Sequence, residues 1–306
     1  MFRALGYTEY MPELPEVETI ASELNRVLPG LKIRDVWTDR VKYIQFPKSF
    51  FLFKKKLVGK KILKAERKGK NVLIHLSGGV TLLVHQKMTG HLLYGKWRRI
   101  KEKSSARWES AIPGPLRDDP ENRFIHLIFF LSNGNQLALC DMRKFAKVLL
   151  WETDNLGELK DIKELGPDPF DKNFTLKNFK ERLRGSRAIK QTLMDPKIIA
   201  GIGNIYADEI LWMAGVHPAK KTNKLSAEEI KKIYSSIRPI LRRAIKAGGS
   251  SYIDYRDAFG RMGSYQKIRR AYQMAGAKCA KSDGGTIKKI KIGQRSAHFC
   301  SVHQKL

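Results

Sequence analysis

Residues able to do chemistry gather at the start of the first helical pattern. In Met11-Pro12-Glu13-Leu14-Pro15-Glu16-Val17-Glu18-Thr19, two prolines stand among three carboxylates. Carboxylates placed this way can carry protons, and a proline whose nitrogen is free is a secondary amine and so a nucleophile. The plainer reading is an ordinary helix start with proline and acids in its first turn. A second cluster is Gly201-Ile202-Gly203-Asn204. Its glycines allow close backbone approach, and Asn204 can cap a following helix whose first N–H groups face a phosphate. A lone Gly-x-Gly is usually only a turn. Cys140, Cys279 and Cys300 are too few for a disulfide framework and fit a reducing compartment.

The elements that must position these groups follow from periodicity. Val17, Ile20, Ala21, Leu24, Val27 and Leu28 recur at helical spacing, with Pro29-Gly30 as a stop. Short strand-like runs follow at 72–76 and 80–85 around Ser77-Gly78-Gly79, then at 124–131 and 136–140 around Asn133-Gly134. Such turns between apolar runs mark hairpins, so the first half reads as an antiparallel sandwich. Residues 95–122 are polar, charged and proline-containing and read as a long surface loop. Ser226 with Glu229 is a capping-box signature ahead of a helix that Gly248-Gly249 closes. The last stretch changes to glycine turns and short strands.

The charge balance selects the partner class. Lys and Arg number 59 against 30 Asp and Glu, a formal +29. The basic residues are spread along the chain, so a polyanion is expected across a folded surface. No segment reaches the ~18 uninterrupted apolar residues of a membrane span, and the start lacks a signal-peptide core. A soluble, cytoplasmic protein without membrane contact is expected.

Residue for residue, the run from Met11 to Thr19 resembles the N-terminus of the formamidopyrimidine-DNA glycosylase family, which uses a helix-two-turn-helix for DNA binding. The resemblance implies that Pro12 is the Schiff-base nucleophile, that Glu13 is the general acid/base, and that Glu16 supports the active site. The string from Lys190-Gln191-Thr192 through Gly203-Asn204-Ile205-Tyr206-Ala207-Asp208-Glu209 is similar to the family's helix-two-turn-helix and places Lys190 near the damaged base. Lys70, in Arg67-Lys68-Gly69-Lys70, resembles a lysine that contacts phosphates flanking the lesion. Asn204 and Arg295 would share that grip. Met88, Arg143 and Phe145 look like the triad that fills the gap left by an extruded nucleotide. Each has a plainer reading, as core packing for Met88 and Phe145 or solvated charge for Lys70. Residues 248–255 resemble the segment leading into the lesion-recognition loop, and the resemblance makes the glycine-bearing stretch to Gly263 its mobile part.

The C-terminus resembles the family's zinc finger but departs from it, because two of the usual four cysteines are missing. The resemblance, aligned on Gly284 and Ile287, leaves Cys279, Asp283, Cys300 and His303 as the ligand set for Zn2+. The alternative is a metal-free hairpin held by apolar packing.

The expected fold is α+β, with an N-terminal β-sandwich flanked by helices, then a C-terminal helical domain carrying the helix-two-turn-helix and a zinc-finger-like β-hairpin. The expected segments are 1–11 as a leader or misassigned start, 12–151 as the catalytic domain, 152–170 as linker, 171–275 as the helix-two-turn-helix domain, and 276–306 as the hairpin. The expected function is a bifunctional DNA glycosylase/AP lyase that excises oxidised purines from duplex DNA, with damaged DNA as partner and a monomeric state. The competing readings are the endonuclease VIII branch, which prefers oxidised pyrimidines, and an inert DNA-damage binder, which the eleven residues before Pro12 permit.

Overall fold

The computed structural model describes residues 11–101, 106–252 and 254–306. The leader expected at the start therefore lies, except for Met11, outside the described residues. The chain divides into two compact units: one holds residues up to Lys160 together with Ala247–Ser264, and the other holds Asp161–Lys246 and Tyr265–Leu306. The boundary falls inside the expected linker. Residues 247–264, expected in the helical domain, belong instead with the N-terminal unit.

In the first unit, α1 (Leu14–Val27) buries Val17, Ile20, Ala21 and Leu24 on one stripe. The elements that follow are β1 (Ile33–Thr38), β2 (Ile44–Phe46), α2 (Phe50–Leu57), β3 (Ile62–Lys68), β4 (Asn71–Leu76), β5 (Val80–His85) and β6 (Gly90–Gly95). After them come β7 (Trp97–Lys101), β8 (Ala106–Ser110), α3 (Pro115–Asp118), β9 (Ile125–Leu131), β10 (Gln136–Asp141) and β11 (Lys147–Glu152). One sheet has the order β1-β9-β10-β6 and the other β2-β11-β5-β4-β3. Only the β2–β11 pair among these is parallel. Val36, Leu127, Phe129 and Leu139 from the first sheet meet Val72, Ile74, Val84 and Val148 from the second, with the α1 stripe in the same core. Each such side chain, taken out of water, contributes about 1.5–3 kcal/mol.

The expected surface loop over 95–122 is a correction. Strands β7 and β8 pair as a hairpin there, and α3 follows. Trp97, 4% exposed, and Leu116 pack with Leu93, Ile128 and Ala138, while Trp108 meets Trp37 edge-on at 5.2 Å. Large apolar residues set at wide intervals among charges hold this stretch down, and periodicity does not register them.

The second unit begins within α4 (Lys160–Lys163) and contains α5 (Leu176–Arg182), α6 (Ile189–Leu193), α7 (Asn204–Ala214), α8 (Ala227–Lys246), β12 (Ile287–Ile292) and β13 (Arg295–Cys300). The start of α8 carries the expected capping box: Ser226 N–H donates to Glu229 Oε2 at 2.8 Å, and Glu229 N–H donates to Ser226 Oγ at 3.2 Å. Strands β12 and β13 pair antiparallel from Ile287↔Cys300 to Ile292↔Arg295, the expected C-terminal hairpin.

Candidate active site

The N-terminus of α1 builds the first part of the site. Pro12 is buried, and Glu13 and Glu16 are only 3% and 2% exposed. Glu16 Oε2 accepts the Glu13 N–H at 2.9 Å, one arm of a capping box that the sequence reading does not identify at this helix. Its other oxygen, Oε1, accepts the Ser250 N–H at 2.7 Å. Gly249 has a φ of +79°, and a Cβ there would stand 2.9 Å from Glu16, so glycine alone lets this segment close on the carboxylate. Tyr255 Oη donates to the Glu16 carbonyl at 3.3 Å.

Lys70 is half-buried at the β3–β4 turn. Burial pushes its ammonium below the usual lysine range, and the charges of Glu13 and Glu16 act against that shift. The structure thus brings Pro12, Glu13, Glu16 and Lys70 to one place.

Met88 lies on the β5–β6 connection, and Arg143 and Phe145 on the β10–β11 connection. Phe145 is 52% exposed and Arg143 is exposed, its guanidinium lying 4.8 Å over the Phe145 ring. An exposed aromatic on a turn is a poor core residue, which removes the packing alternative for Phe145. Asp254 feels the charges of Arg143 and Asp141, and the segment holding it begins at the Glu16-bound Ser250.

In the second unit, two expectations are corrected. Asn204 is not the cap of α7: Gly203 holds that position, and Asn204 is the first helical residue, with Nδ2 3.5 Å from Tyr272 Oη. Lys190 does not present its charge to a ligand. It is 1% exposed, and its ammonium donates to Asp208 Oδ1 at 2.6 Å and to the Ser296 carbonyl. Asp208 also accepts from His298, through the backbone N–H and Nδ1, both at 2.9 Å. Charge pairing makes the buried ammonium tolerable, and it ties α6 and α7 to β13.

Glu209 is a further internal acid that sequence reasoning does not identify. It accepts the N–H groups of Arg270, Ala271 and Tyr272 and the Tyr265 hydroxyl. The only signal was its place in the Asn204–Glu209 string. Arg295 opens β13, half-buried beside the exposed Gln294.

Cys279, Asp283, Cys300 and His303 converge, with one donor atom from each lying within 4.8 Å of the others. Cys279 Sγ stands 3.6 Å from His303 Nδ1, and Cys300 Sγ stands 3.3 Å from an Asp283 oxygen. His303 Nε2 is 3.1 Å from the Trp212 carbonyl, which fixes the ring with Nδ1 toward the cluster. Two thiols, an imidazole and a carboxylate at tetrahedral scale form a donor set that can bind a metal.

The class that these features define is a DNA glycosylase with a helix-two-turn-helix. Models of the formamidopyrimidine-DNA glycosylase N-terminal domain and of its H2TH domain match residues 11–148 and 165–255. The formamidopyrimidine-DNA glycosylase of Pelotomaculum thermopropionicum is 41% identical, covering 97% of this chain and all of that protein. The enzyme of Bacillus subtilis is 36% identical over 96% of this chain and 99% of its own length. Among solved structures, Lactococcus lactis Fpg in complex with abasic-site DNA has a TM-score of 0.82 at 34% identity, covering 96% of this chain and all of that one. The chain belongs to the formamidopyrimidine-DNA glycosylase family.

Proposed function

We propose that the chain is a bifunctional glycosylase/AP lyase that excises oxidised purines, 8-oxoguanine and formamidopyrimidines, from duplex DNA. In this reading, a free Pro12 nitrogen attacks C1′, and the bond to the base breaks with its electron pair leaving on the base. Glu13 delivers a proton to the sugar ring oxygen as C1′–O4′ opens to the iminium. The iminium acidifies C2′, whose proton is lost as the 3′ phosphate departs, and a second elimination releases the 5′ phosphate. The observation that carries this reading is a buried Glu13 directly following a buried Pro12 at the start of α1, with the Lys70 charge beside it.

The remaining assignments support that chemistry. Lys70, Asn204 and Arg295 hold phosphates, and Met88, Arg143 and Phe145 occupy the gap left by the extruded nucleotide. Lys190 acts behind this surface as the internal tie between α6, α7 and β13. Cys279, Asp283, Cys300 and His303 would hold Zn2+, which when bound would cross-link the C-terminal hairpin. The enzyme works as a monomer on DNA in the cytoplasm, at the nucleoid.

A proline amide cannot form an iminium, since its nitrogen carries no hydrogen and its lone pair is delocalised. The active form must therefore start at Pro12. Translation from Met11 followed by methionine removal provides it, and an α-amino group titrating near ~7.7–8.0 leaves roughly a tenth to a sixth of the molecules with a free amine at neutral pH.

The test is borohydride trapping on an 8-oxoguanine·C duplex. Protein beginning at Pro12 should crosslink through that residue, and protein verified to retain residues 1–11 should not. A crosslink mapped to a lysine, or the same activity confined to an oxidised pyrimidine, would overturn the reading. Binding without any trapping would establish the inert damage binder.

A further inference from the structure

The connections bearing Met88 and Arg143/Phe145 run side by side between the two sheets. The first leaves β5 at His85 and enters β6 at Gly90; the second leaves β10 at Asp141 and enters β11 at Lys147. Their ends pair with one another, as Gly90↔Asp141 in one sheet and His85↔Lys147 in the other. Each connection is bent by one non-glycine residue with positive φ, Lys87 at 57° and Lys144 at 60°. Such backbone persists only where its surroundings determine it.

Two buried side chains supply that determination. Thr89 Oγ1 donates to Asp141 Oδ1 and accepts the Arg143 N–H at 2.9 Å. Asp141 Oδ2 accepts the Ala146 N–H at 2.8 Å and the Tyr43 hydroxyl at 3.2 Å. One hydroxyl and one fully buried carboxylate thereby bond the residue after Met88 to the residues on both sides of the Arg143–Phe145 turn. On a local lock at Lys87, His85 Nδ1 accepts its N–H at 3.0 Å.

We infer that Thr89 and Asp141 are positioning residues that join the two turns into one rigid unit, so that Met88, Arg143 and Phe145 enter the DNA together. Both act from inside the protein, Thr89 being 3% and Asp141 0% exposed. The inference rests on the gap-filling role proposed for those three side chains. A wedge held in place loses no turn entropy on insertion, whereas two independent turns would have to be ordered as the nucleotide leaves.

Thr89→Val keeps the side-chain shape and removes both hydrogen-bonding functions, and Thr89→Ser restores them. The experiment compares single-turnover base excision on two substrates. One is an 8-oxoguanine·C duplex, and the other carries the same lesion as a single-nucleotide bulge, where no partner base is orphaned and no gap opens. Thr89→Val should slow excision on the paired duplex by about tenfold or more, as expected for lost buried hydrogen bonds. The bulge rate should stay within about twofold, and Thr89→Ser should recover the paired rate. An equal loss on both substrates, or no loss on the paired one, overturns the inference. Arg143→Ala and Phe145→Ala run alongside. If they spare the paired duplex, the gap-filling role itself fails and the inference falls with it; if they slow it while Thr89→Val does not, the inference alone fails.

Discussion

Glu16 receives the Ser250 N–H at 2.7 Å on one oxygen and the Glu13 N–H at 2.9 Å on the other, so one carboxylate ties the return segment 247–264 to the start of α1. Glu16→Gln keeps the shape but has only one acceptor for two donors. The buried N–H left facing an amide should cost about 1–3 kcal/mol. A lower urea midpoint with an unchanged slope should report it. An unaltered midpoint would remove Glu16 from this role.

Glu13 offers a cleaner separation of binding from chemistry. Glu13→Gln removes the transferable proton at constant size, so damaged-duplex binding should persist while base excision falls by about 10²-fold or more. Near-normal excision rates would exclude Glu13 as the general acid.

Phosphate contacts announce themselves through salt. Lys70→Ala should weaken damaged and undamaged DNA alike and reduce the slope of log affinity against log salt by about one. A variant that changed lesion preference while keeping the wild-type slope would contradict the assignment.

Asp254 makes folding stability depend on pH. Burial and the nearby Glu121 raise its carboxyl to about 6, against the pull of Arg256 and Arg143, and among the described residues its Oδ1 has no hydrogen-bond partner. The folded state keeps this proton where the unfolded state has lost it. The associated stability is full below the ordinary value of 3.8 and is lost as pH rises through about 6. Asn carries no such proton. The melting temperature of wild type relative to Asp254→Asn should therefore fall between about pH 4 and 6 and level off above. A constant difference over that range would refute the shift.

Metal removal tests the C-terminal cluster. The protein should carry about one equivalent of zinc, and a chelator should lower both the melting temperature and DNA affinity. Asp283→Ala, with three ligands left, should surrender the metal to chelator faster than wild type. Folded protein with full DNA affinity and no bound metal would leave the hairpin to apolar packing alone.

Elements determined by local chemistry were legible in the sequence. The α1 stripe, the turns at Gly78-Gly79 and Asn133-Gly134, and the Ser226–Glu229 box all appear where neighbouring residues dictate them. What escaped depends on partners far along the chain. Trp97 and Trp108 convert a polar-looking stretch into a packed hairpin by covering a sheet face formed mostly by later strands. Nothing local marks Lys190, Asp208 or Glu209 as buried, because their partners Ser296, His298 and Tyr272 lie 106, 90 and 63 residues away. The turns bearing Met88, Arg143 and Phe145 were visible only through resemblance, because the strand pairings that align them are set by both sheets together.

The assignment of residues 247–264 to the N-terminal unit fixes an order of events during synthesis. Glu16 and Glu23 are buried acceptors whose partners, Ser250, Ala258 and Arg261, are among the later residues to be made. At ~5–20 residues per second the ribosome needs roughly 10–50 s to travel from α1 to these donors. Throughout that interval the nascent N-terminal unit holds carboxylates that its finished form would bury, and water must serve them instead. Helix α1 is thus synthesised early but receives its last hydrogen bonds only when most of the chain exists.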